Sequence, residues 1–384
     1  MKFSAFHPFP AYGIEDKRWP SAPKYATPEI VRDSLAKDLD YARLVDRAGF
    51  DSISVAEHHY TAQHLAPNSV MVATIVHSVL EKATVNLLGS DLPLVNPVRL
   101  AEEISTLDAL TGGNLLVGFF RGVPFEYMSY GTNPWESKEV FYEQIDLILR
   151  AWYEPEPFAW IGRHFDYRVV SLWPRATRTV PILLAAGSPA SAIYAAERGA
   201  LAGFPFLPAE AVRPMVDVYQ SRAAELGRTV TPDDLLSRAF GLVADTDAEA
   251  WALAERYNYG DMNKLYEIED FSVLATLGAA FAGAPKGFTP PPGASGPAFP
   301  TVPAFIGSPE TVATQIRDFV AATGVGRIEV TLNASNLPFE HAARSTELFG
   351  TEVIPLARSL DSVAEEALVA IAAEGATRRE MATA

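Results

Sequence analysis

Short apolar runs alternate along this chain with longer stretches in which apolar residues return every three to four positions. The runs are Lys2 to Pro8, Ile53 to Ala56, Ala83 to Leu88, Leu115 to Phe120, Val180 to Ala185, Leu201 to Phe206, Arg238 to Ala244 and Arg327 to Leu332. They are mostly apolar on both sides of the chain rather than alternating, as expected of parallel strands covered on both faces. The intervening stretches carry helix signals. Thr27-Pro28-Glu29 caps and starts a helix whose Val31, Leu35, Leu39, Ala42 and Val45 share one face, and Gly49 ends it. Further helices are predicted at Val70 to Leu80, from Asn96-Pro97 to Leu110, from Ser137 to Trp152, from Ser188-Pro189, at Ala209 to Leu226, at Ala248 to Tyr257, from Ser308-Pro309, and at Glu340 to Leu360. Eight strands alternating with helices predict an α/β fold, a closed (β/α)8 TIM barrel. A doubly wound open sheet is the alternative, but no G-x-G-x-x-G follows the first strand.

Two stretches break the rhythm. Residues 153–178, after the helix that follows strand four, read as an irregular insertion or a small hairpin. Residues 263–305, after strand seven, include a Pro/Gly-dense part, 284–303, expected to be a mobile loop over the barrel mouth. One barrel domain is expected over residues 1–360, followed by a peripheral tail at 361–384.

Composition narrows the function. The 384 residues are 48% hydrophobic and 20% charged, with a formal net charge of −16. That balance argues against nucleic acid and anionic membranes as partners. Without cysteine there are no disulfides, thiol nucleophiles or thiolate metal sites. No signal-peptide pattern or membrane-length apolar run is present, so a cytoplasmic protein is expected.

The candidate chemistry gathers at predicted strand ends. The run Gly49 to Tyr60 is a buried strand that delivers Glu57-His58-His59 at its C-terminal end, the face of a barrel where active sites lie. Adjacent histidines on extended chain face opposite ways, so no metal site is expected, with or without His64. Arg121 ends strand four and suits an anion; Gly187-Ser188-Pro189-Ala190-Ser191 opens a helix whose N-terminus suits phosphate; Leu88-Gly89 ends strand three. Singly, each has a plain structural reading: a buried histidine, a barrel-end salt bridge, a helix cap. Together they fit a phosphate-bearing cofactor lying across the mouth.

These residues carry a resemblance. Ala48-Gly49-Phe50-Asp51 leading to Glu57-His58-His59, Leu92-Pro93-Leu94 with Asn96-Pro97-Val98-Arg99, Thr111-Gly112-Gly113, Arg121-Gly122, Ala186-Gly187-Ser188 and Gly307-Ser308-Pro309-Glu310 resemble, in order and spacing, the bacterial luciferase-like flavin monooxygenases over about residues 1–358. The resemblance implies a (β/α)8 barrel using reduced FMN from a separate flavin reductase, and O2, to oxygenate a small apolar substrate. It makes His58 the catalytic acid/base. Glu57, His59, Leu88, Gly89, Arg121, Gly187, Ser188 and Ser191 form the cofactor-binding set, with a non-proline cis peptide expected at Leu88-Gly89. Phe6, Phe120, Phe204, Phe206 and Trp251 are candidates for the substrate pocket, and a homodimer is expected. Bacterial luciferase has an acidic residue where Gly187 stands and a cysteine where Phe120 stands, so a non-luminescent member is expected. The rivals are a deazaflavin-dependent oxidoreductase and a non-catalytic flavin-binding subunit.

Overall fold

The computed structural model describes residues 1–14, 18–176, 179–260, 267–268, 304–334 and 337–359. Eight parallel strands close into a barrel: β1 Lys2–His7, β2 Ser52–Val55, β3 Thr84–Asp91, β4 Leu116–Phe120, β5 Ile182–Ala185, β6 Leu201–Pro205, β7 Leu235–Val243 and β8 Arg327–Thr331. The barrel closes where β8 pairs with β1, Thr331 opposite Phe6, and where β7 pairs with β6, Arg238 opposite Pro205. All eight coincide with the runs read from the sequence. The (β/α)8 fold is therefore present.

The helices between them are α1 Pro28–Ala48, α2 Ser69–His77, α3 Pro97–Leu110, α4 Pro124–Ser129, α5 Ser137–Tyr153, α6 Pro189–Glu197, α7 Ala209–Glu225, α8 Asp247–Arg256, α9 Pro309–Thr323 and α10 Phe339–Leu348. Side chains cap several of the starts: Thr27, Asn68, Asn96, Ser188, Thr246 and Ser308 each accept a backbone N–H from the first turn. Ser137 does not cap α5. It is the first helical residue, and its hydroxyl donates to the Pro134 carbonyl. Gly49 adopts φ 96°, the left-handed conformation that ends α1 and turns the chain into β2.

Three features go beyond the sequence reading, and the hairpin in the insertion is one of the two forms expected there. Strand β3 runs on through Asp91. A ninth strand, Ala304–Gly307, pairs with the far half of β7. Residues 158–161 and 166–170 form an antiparallel hairpin within the insertion. The last helix passes through a π turn at Phe349–Val353. Most of the 263–305 insertion, including the expected mobile loop, and the 361–384 tail lie outside the described residues. No helix among the described residues is long and apolar enough to cross a membrane.

Strand alternation sorts side chains into two populations. Phe3, Ile53, Val55, Leu87, Val117, Phe119, Leu184 and Val330 face outward and pack beneath the helices in the main core. Each such burial contributes about 1.5–3 kcal/mol. The inward set divides again. On one side Ser4, Ser52 and Asn86 form a buried polar network, with 2.6 Å between the two hydroxyls and 2.9 Å from the Asn86 amide to Ser52. On the other, Leu88, Leu116, Leu183 and Leu236 form an apolar plug with Phe120 and Leu201 against it. The mouth rests on this floor, polar on one side and apolar on the other.

Asp46 ties the end of α1 to the start of β3. It is only 6% exposed, and its carboxylate accepts the backbone N–H groups of Glu81, Lys82 and Ala83 at 2.9, 3.0 and 2.6 Å. Burial raises its pKa, but the three donors outweigh that and hold it below the usual carboxylate value. A depressed folded pKa contributes stability that is present above the unfolded value and lost as pH falls through the folded one. Asp46→Ala is expected to cost about 3 kcal/mol at neutral pH, the scale of charge-assisted hydrogen bonds with their donors left unpaired. Denaturant titrations should show that gap closing below about pH 4. A cost independent of pH would mean that packing, not the carboxylate, explains it.

Candidate active site

The end of β2 delivers three polar side chains with three different fates. Glu57 is buried, and both its oxygens are engaged: Oε2 accepts the Ser69 N–H and hydroxyl at 3.1 and 2.7 Å, and Oε1 accepts the Asp91 N–H at 2.9 Å. It fastens β2 to the start of α2 and the end of β3. The His59 ring turns away to Tyr130, 2.9 Å from its hydroxyl, and burial lowers its pKa. His58 alone of the two histidines lines the mouth, with a side chain 23% exposed.

Glu126 orients His58. From α4 its fully buried carboxylate lies 3.0 Å from His58 Nδ1 and accepts the His59 backbone N–H at 2.8 Å and the Val123 N–H at 3.3 Å. Burial raises the Glu126 pKa, but His58 and these hydrogen bonds prevail and hold it below the usual range. An ionised Glu126 accepts the Nδ1 proton, which makes Nε2 the ring nitrogen that carries no proton in the neutral imidazole. The His64 ring stands 4.3 Å from that of His58, edge to face. Burial, then the neighbouring His58, press its pKa well below the ordinary histidine value, so His64 is neutral.

Asp91 completes the cluster. One polar atom each from His58, Asp91 and Glu126 lies within 4.8 Å of the others, a spacing that would also admit a cation. Burial and the carboxylates of Glu126 and Glu57 push the Asp91 pKa well above its ordinary value. Asp91 is thereby favoured in its protonated form, which can donate to Glu126.

The floor beside His58 is the Leu88–Gly89 peptide, which is cis. A Cβ on Gly89 would sit 2.1 Å from the Gly118 carbonyl oxygen, so glycine is required there by the approach of β4. The inner cavity, about 340 Å³, is lined by His58, Leu88, Gly89, Phe120, Arg121 and Arg238 among others. An outer cavity, about 570 Å³, is lined by Arg121, Lys138, Tyr142, Gly187, Ser188, Ser191 and Tyr194 among others. Phe120, Arg121 and Ala185 line both, so the two adjoin.

In the outer cavity the start of α6 is closed by its own cap. The Ser188 hydroxyl accepts the Ser191 N–H, the Ser191 hydroxyl accepts the Ser188 N–H, and the two oxygens lie 2.8 Å apart. A Cβ on Gly187 would meet only Leu207, at 3.7 Å, so the space before the helix is open. Opposite stand Lys138 and Tyr142, whose ring stacks on Tyr194 at 3.9 Å.

The aromatic candidates separate. Phe120 lines both cavities. Phe6 lies under the Arg238 guanidinium at 3.8 Å, and Phe206 is 6.0 Å from it. Phe204 does not reach the mouth: Gly203 and Pro205 of β6 face inward, so Phe204 points outward into the helix layer. Trp251, 56% exposed on α8, borders neither cavity. Sequence reasoning gave no role to Asp91, Glu126, Arg238, Lys138, Tyr142 or Tyr194. Arg238 alone had a local signal, a charge inside an apolar strand.

A raised carboxyl pKa has the opposite linkage to that of Asp46. Stability from the Asp91 proton is complete at low pH and is lost as pH rises from the unfolded value, near 3.8, through the raised folded one. Asp91→Asn keeps a donor and cannot ionise. Its thermal stability relative to wild type should therefore climb between pH 4 and 7. A difference flat with pH would return Asp91 to the ionised form.

The sequence matches the family described as Luciferase-like monooxygenase over residues 12–327. It is 26% identical to the FMNH(2)-dependent dimethylsulfone monooxygenase of Pseudomonas putida, over 87% of this chain and 92% of that one. It is also 26% identical to the F420-dependent glucose-6-phosphate dehydrogenase of Intrasporangium calvum, over 42% of this chain and 51% of that one. The match spans only about half to three-fifths of the length of the first curated relatives. In fold it superposes on the oxygenating constituent of 3,6-diketocamphane monooxygenase from Pseudomonas putida, a type II Baeyer-Villiger enzyme solved with FMN, with TM-score 0.69, 21% identity and coverage of 92% and 98%. With the family match covering most of its length and the barrel in place, this chain is a member of the luciferase-like monooxygenase family.

Proposed function

We propose that this protein is the oxygenating component of a two-component flavin-dependent monooxygenase. It takes reduced FMN from a separate flavin reductase and uses O2 to oxygenate a small organic substrate with an apolar skeleton. The observation that carries this reading is the pair of adjoining cavities sharing Arg121. One holds an oriented histidine, and the other offers a guanidinium, an ammonium, two hydroxyls and a helix start to an anion. That donor set fits a phosphate monoester. The inner walls, Leu88, Phe120, Val123 and Pro205, fit a flat apolar ring. Arg121, Lys138, Gly187, Ser188 and Ser191 would hold the phosphate, and Leu88-Gly89 would support the ring.

Bound flavin supplies the activation of oxygen. The chain's own work is binding, orientation, water exclusion and proton control. Phe120 and the leucine plug beneath it keep water from the inner cavity, where stray protons waste the oxidant. His58 holds or gives one proton at Nε2. Glu126 fixes its tautomer, and Asp91 steadies Glu126. No metal has a role in this scheme.

A deazaflavin-dependent hydride transfer is the second reading, favoured by the F420-dependent relative. Titrating the protein with FMN, reduced FMN and F420 decides between them. Tightest binding of F420 would replace the first reading, and failure to bind any of the three would leave a scaffold. In the FMN case Arg121→Ala should weaken binding of the reduced form by about 1.5–3 kcal/mol. His58→Ala should bind it nearly normally, yet lose roughly 10²–10⁴-fold in turnover and release hydrogen peroxide in place of product. Wild-type turnover in His58→Ala would remove the histidine from the chemistry.

The proposal includes a cytoplasmic setting and a homodimer. Met71 and Ile75, one turn apart on α2, are exposed near Leu110, whose carbonyl oxygen is 3.2 Å from His77 of the same helix. A contiguous apolar strip of this kind suits a second copy. Sedimentation should give a dimer that Ile75→Glu dissociates; a monomeric wild type would end this part of the proposal.

A further inference from the structure

Arg238 is the one charged side chain that reaches the inner cavity from β7, and the scheme above gives it no task. Its guanidinium is fixed from three directions. Nε donates to Glu329, which is fully buried on β8; Nη2 donates to the Leu88 carbonyl at 3.1 Å; and the Phe6 ring lies 3.8 Å from Cζ. With 12% of its side chain exposed, it can neither swing out to water nor lose its charge. Among the described residues Nη1 has no hydrogen-bonding partner, and Arg238 lines the cavity that holds His58. Nη1 is open to the cavity, where it can donate to a bound acceptor.

The walls say which kind of acceptor. Ala56, Leu88, Phe120, Val123, Ala185 and Pro205 give the inner cavity its apolar walls; its charged and polar side chains are Glu57, His58, Asp91, Arg121 and Arg238, and Arg238 stands at the edge of the leucine plug, bonded to the Leu88 carbonyl. A tricyclic flavin ring anchored by its phosphate beyond Arg121 matches these walls in one sense. Of its two edges only the pyrimidine edge carries acceptor oxygens, so that edge would meet the Arg238 guanidinium, to which the dimethylbenzene edge offers nothing. Reduction makes that pyrimidine edge anionic, whereas the oxidised ring is neutral. A preorganised cation favours the form that carries the charge. Glu329 sits behind Arg238 and orients it, so the guanidinium needs no rearrangement to meet the anion.

We propose that Arg238 is the residue by which this protein selects reduced over oxidised flavin, its Nη1 donating to the pyrimidine edge of the anionic ring. This rests on the flavin reading above and goes beyond it, because it assigns redox selectivity to a strand-seven arginine rather than to the phosphate site. Selectivity of this kind has a function in a two-component system. Spent, oxidised cofactor must leave so that the next reduced molecule can enter.

The test is the ratio of dissociation constants for oxidised and reduced FMN, measured anaerobically by fluorescence and absorbance titration. In Arg238→Met the ratio should fall on the order of ten- to a hundredfold, the worth of a hydrogen bond to a charged group. Because that variant strands the buried Glu329 carboxylate, Arg238→Met combined with Glu329→Gln is measured beside it and should show the same fall. A phosphate-site variant such as Lys138→Ala should weaken both redox forms together and leave the ratio alone. Equal weakening of the two forms by loss of Arg238, or an unchanged ratio, overturns the proposal. A wild-type protein that binds neither form overturns the flavin reading itself, which is a different result.

Discussion

A carboxylate without solvent contact has to be satisfied by its neighbours, and Glu126 is satisfied by the groups that define the site. It accepts from the His58 ring, from the backbone of His59 and from the backbone of Val123. One buried charge thus fixes the strand end that carries the histidine, the loop that follows Arg121 and the imidazole tautomer. In a low-dielectric environment such an ion holds only while its donors stay in place. The mouth is therefore held from several sides around His58. Burial, and then the carboxylates of Glu126 and Glu57, push the neighbouring acid, Asp91, toward its protonated form.

The same economy appears in the barrel interior. Inward positions are polar toward β1, β2 and β3 and apolar toward β4, β5, β6 and the start of β7, with Leu88 of β3 joining the apolar side. The outward positions are mostly apolar and build the core, with His7 of β1, paired with Asp38 of α1, and Ser237 of β7 as polar exceptions. Stability and chemistry are thereby assigned to opposite faces of the same strands. Substitutions at Val55 or Leu87 act on folding, and those at neighbouring inward or strand-end positions act on the site.

How much was legible in the sequence follows from how local each signal is. The strands, caps and stop signals depend on neighbouring residues, and all eight barrel strands could be read from them. Thr27, Asn96, Ser188 and Gly49 act within a few positions of their own place in the chain. The site was legible where a strand end carried its own chemistry, as at Glu57-His58-His59 and Arg121. Glu126 was not, because its partner His58 is 68 residues away and nothing within α4 marks the glutamate as different from a solvated one. Phe204 and Phe206 show the other limit. Alternation would put both on the same side, but β6 ends at Pro205 and Phe206 turns away with φ 55°, so Phe204 stays in the core while Phe206 reaches the Arg238 guanidinium. Trp251 was chosen by residue type alone, and it lies out on α8.

Arg121 belongs to the wall of both cavities. A single side chain therefore stands at the boundary of two spaces and belongs to both. On the proposed reading, whatever Arg121 grips in the outer space is anchored next door to His58, so a change at this one position would be felt in both rooms at once.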